Sequence, residues 1–494
     1  MARIAADSID KDDIITGDEI EFRTDELQLF TLPREMTYSK AIKIFQAKRE
    51  EESRVSNFTK IFKYRCYDGA VATAVVLKSR YGITMGKDMM TMFGPQPPQV
   101  LEVPIGPNGK TVQAPWGLMS IPVLDNAEVL LTGTSDRDLG EVFAIKVEAK
   151  KRYEKEIQAF FADVAEQLKN GSIYRGKAVA GASRLDFIEG LESFDPSQIV
   201  FAQDVKAQLD VALFAAMRYP HSYRAEKIPL KRAVLVHGPY GTGKTSIGQM
   251  LAKEAVANGW TFVMARPGRD SVQDVLQTAR LYAPAVVWIE DVDVETSGSS
   301  NPRKISEMLD AFDGITAKGG GEIMVALSSN FIQRIPPGML RPGRLDYVIE
   351  IAELDAPATE ELLRKVIDPN KMGEIDFDAV HEQMCEPKAP GRFLPAFVKA
   401  TADRARSFAI NRIGGELGYR LETEDLVYAA KSLHAQLKLH KDAADPEPLP
   451  TFDQVLRDTI TDTVDDFRVL DDDGDPMYTL RRPQLEVGRS AARN

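Results

Sequence analysis

Residues 238–245 read Gly-Pro-Tyr-Gly-Thr-Gly-Lys-Thr, and no other stretch of the 494 residues limits the fold as tightly. The octapeptide fits the pattern G-x-x-x-x-G-K-[ST], and its flanks fit the pattern's setting. Lys231-Arg232 precede the apolar run Ala233-Val234-Leu235-Val236, whose branched residues suit a buried strand. Behind the loop, Ser246-Ile247-Gly248-Gln249-Met250-Leu251-Ala252-Lys253-Glu254 has helical spacing. Strand, glycine loop and helix in that order let backbone N–H groups and a helix N-terminus surround a polyphosphate. The expected ATP cradle is Gly238, Pro239, Tyr240, Gly241, Thr242, Gly243, Lys244, Thr245 and Ser246. Lys244 would reach the β- and γ-phosphates, and the Thr245 hydroxyl would bind Mg²⁺. A chance glycine-rich turn would explain the octapeptide but not its flanks.

Such a site needs a carboxylate on a neighbouring strand. Val286-Val287-Trp288-Ile289-Glu290-Asp291 reads as a buried strand ending in two acids. Glu290 is expected to bind Mg²⁺ through water, and Asp291 to polarise the attacking water. Acidic turn residues at a strand end are the alternative, and the position some forty residues after the loop favours the metal reading. Met324-Val325-Ala326-Leu327-Ser328-Ser329-Asn330 is a further apolar run with a polar tip, where Asn330 could orient the water. Arg341 and Arg344 follow beside a turn. They are either surface charges or guanidinium forks that neutralise a transferring phosphoryl group, a role often filled across a subunit boundary.

The texture of the chain changes along its length. Residues 1–60 comprise a polar segment and an exposed, charged helix at 37–56. From 61 to 190, short apolar runs broken by Gly and Pro (Ala70–Leu77, Val100–Ile105, Phe143–Val147) suggest a β-rich α+β domain. Within it a helix is expected at Glu148–Leu168, with extended segments at 172–174 and 177–179. Residues 195–355 alternate strand and helix patterns, the mark of a parallel sheet, and 356–440 are helical. An acidic tail occupies 441–494; its Asp471-Asp472-Asp473-Gly474-Asp475 lacks the glycine offset and closing Glu of a calcium loop. The fold class is multidomain α/β.

Composition removes several function classes. No apolar run is long enough to span a bilayer, and Met1–Asp13 has no signal-peptide core. Cys66 and Cys385 are too few for a disulfide framework, so a reducing, cytoplasmic setting is expected. The net charge of −12 disfavours nonspecific nucleic-acid binding, which relies on Lys and Arg, although a local basic patch stays possible. His381-Glu382-Gln383-Met384-Cys385 lacks the second histidine of a zinc-protease motif.

Taken in order, GPYGTGKT, VVWIED, SSN and LRPGRLD resemble an AAA-family ATPase of the AAA+ class, over about residues 195–440. That resemblance implies a P-loop ATPase core, a helical lid at 356–440, Asn330 as sensor 1, and Arg341 and Arg344 as arginine fingers. It also implies a homo-oligomeric ring, commonly a hexamer, that remodels a protein client or adaptor held by the N-terminal domain. The Glu290-Asp291 order departs from the family's Asp-Glu, resembles the clade of the mitochondrial Rieske-protein translocase, and suggests slow hydrolysis with Asp293 able to share the base role. Arg266-Pro267-Gly268-Arg269-Asp270 stands where threading members carry an aromatic. Its arginines are either solvated loop charges, the reading preferred, or contacts for an acidic chain or phosphate backbone, as in a nucleic-acid-associated motor or loader. A nucleotide-gated scaffold is a third possibility. Arg392, opening a lid helix, is either a surface arginine or a sensor-2 contact to the γ-phosphate.

Overall fold

The structure is a computed structural model that describes residues 14–16, 35–83, 89–92, 94–96, 99–182, 184–266, 269–293, 322–335, 337–341, 343–385, 393–415 and 418–444. Arg392, the 471–475 cluster and most of the acidic tail lie outside the described residues.

Strand β1 (Ile14–Thr16) pairs antiparallel with β2 (Glu35–Thr37), and the charged helix α1 (Tyr38–Ser53) follows, burying Ala41. The next unit is an antiparallel sheet of β3 (Val55–Phe62), β6 (Gln99–Pro104), β7 (Thr111–Ile121), β8 (Ala127–Asp136) and β9 (Gly140–Lys150), ordered β3-β9-β8-β7-β6. A short ladder of β4 (Met89–Thr91) and β5 (Gly94–Gln96) precedes β6. Helices α2 (Cys66–Tyr81) and α3 (Glu154–Gly171) pack with this sheet through Val76, Leu77, Phe143, Ile145, Phe160 and Phe161.

Three sequence expectations fail here. Ala70–Leu77 is not a strand but the middle of α2. Its small residues permit close helix–sheet packing: a Cβ added to Gly69 would lie 2.1 Å from Cγ of Phe143, so the ring takes that space. The helix stops at Gly82, whose φ of +67° is the left-handed end that glycine tolerates. The helix expected from Glu148 starts at Glu154, because β9 continues to Lys150 with Val147 and Ala149 buried. Residues 172–174 form no strand.

The parallel sheet is made from β10 (Ala178–Ala180), β11 (Asp186–Phe187), β12 (Arg232–His237), β13 (Thr261–Met264), β14 (Ala285–Ile289), β15 (Ile323–Ser329) and β16 (Tyr347–Glu350). Their order is β11-β10-β13-β14-β15-β12-β16, with β11 antiparallel to β10 and the others parallel. Residues 178–187, assigned by sequence to the N-terminal domain, thus belong to this sheet: Val179 registers with Val263. Their runs were too short to reveal the non-local pairing. β12, β14 and β15 read as nearly unbroken apolar runs because both faces are covered. On these flanks lie α4 (Gln203–Leu209), a π-turn at 210–214, α5 (Ala215–Arg218), α6 (Pro220–Ala225), α7 (Lys244–Ala257) and α8 (Val272–Leu281).

Among the described residues, four α-helices follow: α9 (Ala356–Val366), α10 (Phe377–Met384), α11 (Pro395–Arg412) and α12 (Thr423–Ala444). They share a core of Leu362, Leu363, Val380, Ala402, Ala405, Leu426 and Leu433. Asp355 and Asp376 cap α9 and α10 by accepting the N–H bonds of Ala358 and Ala379. The core of the parallel sheet is continuous with that of the antiparallel unit: Ala70, Val103, Ala114 and Val142 cluster with Val263, Val287 and Val325.

Candidate nucleotide site

The carboxyl ends of β12, β14 and β15 open onto a cavity of about 340 Å³. One wall is the loop between β12 and α7, where Tyr240, Gly241, Thr242, Gly243, Lys244, Thr245 and Ser246 line the space. Two glycines are required by this path. A Cβ on Gly238 would sit 2.1 Å from the Ile351 carbonyl oxygen, and Gly243 has φ +95° immediately before α7. The turn therefore delivers the helix N-terminus and its free N–H groups to the cavity.

Lys244 is buried, and its ammonium donates to the carbonyls of Gly238 (2.7 Å) and Pro239 (2.8 Å). Burial pushes it down to about 8, opposed by the nearby charges of Asp291 and Asp293. The Thr242 hydroxyl donates to the Pro239 carbonyl at 2.9 Å and stiffens the same turn.

Beyond the end of β14, Asp291 takes φ +48° and its N–H donates to the Ser328 hydroxyl at 3.0 Å. This reversal turns the residue into the cavity wall. Asn330, at the tip of β15, donates its side-chain amide to Asp291 Oδ1 (2.8 Å) and its backbone N–H to Asp293 Oδ1 (2.9 Å). Asp291 and Asn330 both line the cavity. Glu290 stands half-buried at the end of β14, one residue before Asp291, and does not itself line the cavity.

The two arginines separate. Arg344 donates to the Gly338 carbonyl at 2.9 Å and is half-buried. Arg341 is exposed. Neither lines the cavity of this chain. Arg266 is consumed internally: its guanidinium meets Asp270 at 3.0 Å and Asp186 at 3.0 Å, whereas Arg269 is exposed.

Sequence reasoning missed the rest of the lining, namely Gln198, Ile199 and Val200 before α4, Leu362 on α9, and Pro395, Ala396 and Lys399 on α11. Ala396 N–H donates to the Gly241 carbonyl at 3.2 Å, joining the helical cluster to the loop. Nothing in their local pattern signals this, because the fold alone brings them to the loop.

The chemistry of the donors suits a nucleotide with Mg²⁺. A lysine and free helix N–H groups meet phosphate, and a hydroxyl with a carboxylate gives the hard oxygen ligands that Mg²⁺ prefers. Fold and site define a P-loop nucleotide-binding domain of parallel α/β type. Within it, residues 234–353 match the family described as "ATPase family associated with various cellular activities (AAA)", and this part of the chain is an AAA-type ATPase domain. The relatives agree. A cell division cycle protein 48 homolog of Archaeoglobus fulgidus is 27% identical over 42% of this chain and 29% of its own length. A proteasome-activating nucleotidase of Methanococcus vannielii is 26% identical over 50% of this chain and 61% of itself. An ATP-dependent zinc metalloprotease FtsH 1 of Symbiobacterium thermophilum is 34% identical over 32% and 29%. In each case the match spans less than two thirds of the relative. No helix among the described residues is long and apolar enough to cross a membrane.

Proposed function

We propose that this protein is a ring-forming ATPase that couples hydrolysis of Mg-ATP to the remodelling of a protein client or complex. The observation that carries the reading is the Asp291–Asn330 pair on the cavity wall beside Lys244. In this scheme the loop 238–245 and the α7 N-terminus hold the phosphates. Thr245 and, through water, Glu290 would hold Mg²⁺, which would neutralise charge on the phosphate oxygens. Asp291 accepts a proton from the attacking water, and Asn330 fixes both that carboxylate and the water's direction. The exposed Arg341 is available to a neighbouring copy's nucleotide, and Arg344 supports the turn that presents it.

A protein client is favoured over nucleic acid because the Arg266 side chain is already paired with Asp270 and Asp186. The kinship with a proteasome-activating nucleotidase supports the same choice. The antiparallel N-terminal sheet is the proposed client or adaptor surface. The test is Mg-dependent phosphate release from ATP, with particle mass followed by light scattering. ATP-dependent assembly, with turnover stimulated by an unfolded protein and not by single-stranded DNA at matched salt, is the expected result. Stimulation by DNA alone favours a nucleic-acid motor, and assembly without turnover a nucleotide-gated scaffold.

A further inference from the structure

Tyr240 is the one aromatic side chain in the loop 238–245. A phosphate cradle works through backbone N–H groups, so nothing in that role calls for an aromatic ring. The ring lines the cavity although its residue is 45% exposed. It meets Phe331 edge-to-face, with centroids 5.9 Å apart and planes at 74°, and the Lys244 ammonium lies 5.9 Å from its centroid. Phe331 in turn carries the Arg334 guanidinium 4.1 Å from its own centroid. An edge-to-face pair backed by a cation is an attractive and directional arrangement.

The residue before Phe331 is Asn330, held at two points by Asp291 and Asp293. The N–H of Phe331 itself donates to the Ser329 hydroxyl at 3.1 Å. The ring stack therefore bridges the phosphate loop and the tip of β15 next to the acidic end of the cavity. A backbone bond from the Gly238 N–H to the Ser329 carbonyl (3.2 Å) joins the same two loops at their base, and the ring pair joins them through side chains.

We propose that Tyr240 is a positioning residue for hydrolysis: its ring, braced by Phe331 and Arg334, holds the Asn330–Asp291 pair in register with the phosphate loop. This rests on the ATPase reading above. The ring acts on the transition state more than on nucleotide binding, because its aromatic partner is Phe331, next to the residue that orients water, while the backbone N–H groups of its own loop hold the phosphates.

The experiment measures kcat and KM for ATP, with affinity for a fluorescent ADP, in wild type, Y240A, Y240F, F331L and Y240A/F331L. Y240A is expected to lower kcat about 10-fold while ADP affinity changes by less than about 3-fold. Y240F, which keeps the ring, should recover most of the lost rate. F331L should resemble Y240A, and the double variant should fall no further than the worse single one. Wild-type turnover in Y240A, a parallel loss of affinity and rate, or multiplying effects in the double variant would overturn the proposal. Absence of Lys244-dependent turnover in the wild type would instead remove the ATPase reading on which it stands.

Discussion

The two sheets bury polar groups in different places, for different ends. In the parallel sheet they gather at the carboxyl ends of β12, β14 and β15, where Lys244, Asp291 and Asn330 face a cavity. In the antiparallel unit they face the other sheet. The Arg65 N–H donates to the Tyr282 hydroxyl at 3.0 Å, and its guanidinium donates to the Glu141 carbonyl (2.6 Å) and the Thr278 hydroxyl (2.5 Å). Asp68 accepts from the Ser172 hydroxyl (2.6 Å) and the Ile173 N–H (3.0 Å). Tyr282 and Thr278 lie at the end of α8, the helix that follows the 266–270 loop. The contrast teaches that buried charge marks a site only where it faces open space; elsewhere it fastens parts together.

The largest expected effect tests the first half of that contrast. Lys244→Ala should weaken nucleotide binding at least about 100-fold by calorimetry, since it removes a charge aimed at phosphate. Asp291→Asn should leave binding nearly intact and slow turnover about 100-fold, because a general base acts on the reaction and not on the ground state. If Asp293→Asn abolished turnover while Asp291→Asn did not, the activating acid would be Asp293.

The central strands of the parallel sheet were legible because their signals are local: an apolar run, then a polar tip, then glycine or helix spacing; its edge, β10 and β11, was not. Gly238–Thr245, Asp291 and Asn330 could be found that way. The attachment of the antiparallel unit could not, since Arg65 and Thr278 are separated by 213 positions. Ala70–Leu77 misled for a related reason. Its alanines and valines fit a strand or a helix, and the packing of α2 on the sheet, with the Phe143 ring above Gly69, is a distant contact that no short window contains. Lys399 and Ala396 reach the cavity through the path of α11, which no short window contains.

The second half of the contrast is broken or sharpened at Arg65, which is 4% exposed. Arg65→Ala leaves the Thr278 hydroxyl and the carbonyls of Leu139 and Glu141 without this donor, costing about 3 kcal/mol of stability. Hydrogen exchange should rise at the end of α8 and the start of β9, while ADP affinity holds. Unchanged exchange at α8 would show that apolar packing alone joins the units.

Asp68 gives a pH signature of the same junction. Burial raises its carboxyl from an ordinary 3.8 to about 6, against the hydrogen bonds from Ser172 and Ile173 that favour the charged form. The folded state thus holds the proton more tightly than the unfolded chain. That stabilisation is fully present below about pH 4 and is lost as pH rises through about 6. Asp68→Asn cannot ionise, so it should gain about 2 kcal/mol on the wild type between pH 4 and 7. Equal pH profiles of the unfolding midpoint would mean that Asp68 is solvated at the junction.

The smallest effect falls on Arg266, which lies in the loop after β13 of the parallel sheet yet behaves like the fastening residues. Asp270 takes two of its guanidinium nitrogens, and Asp186 on the edge strand β11 takes a third. Gly181, with φ +106°, leaves room for it: a Cβ there would lie 2.6 Å from Nη2. The arginine therefore ties the loop after β13 to the sheet edge, and a part-exposed ion pair of this kind is worth about 1 kcal/mol. Arg266→Ala should cost about that much in thermal unfolding and leave affinity for single-stranded DNA at the wild-type level. A fall in DNA affinity with unchanged stability would free the arginine from its structural role. It would also place the loop 266–270 among the surfaces that face a ligand, and the distinction between the two uses of buried charge would then fail within the parallel sheet itself.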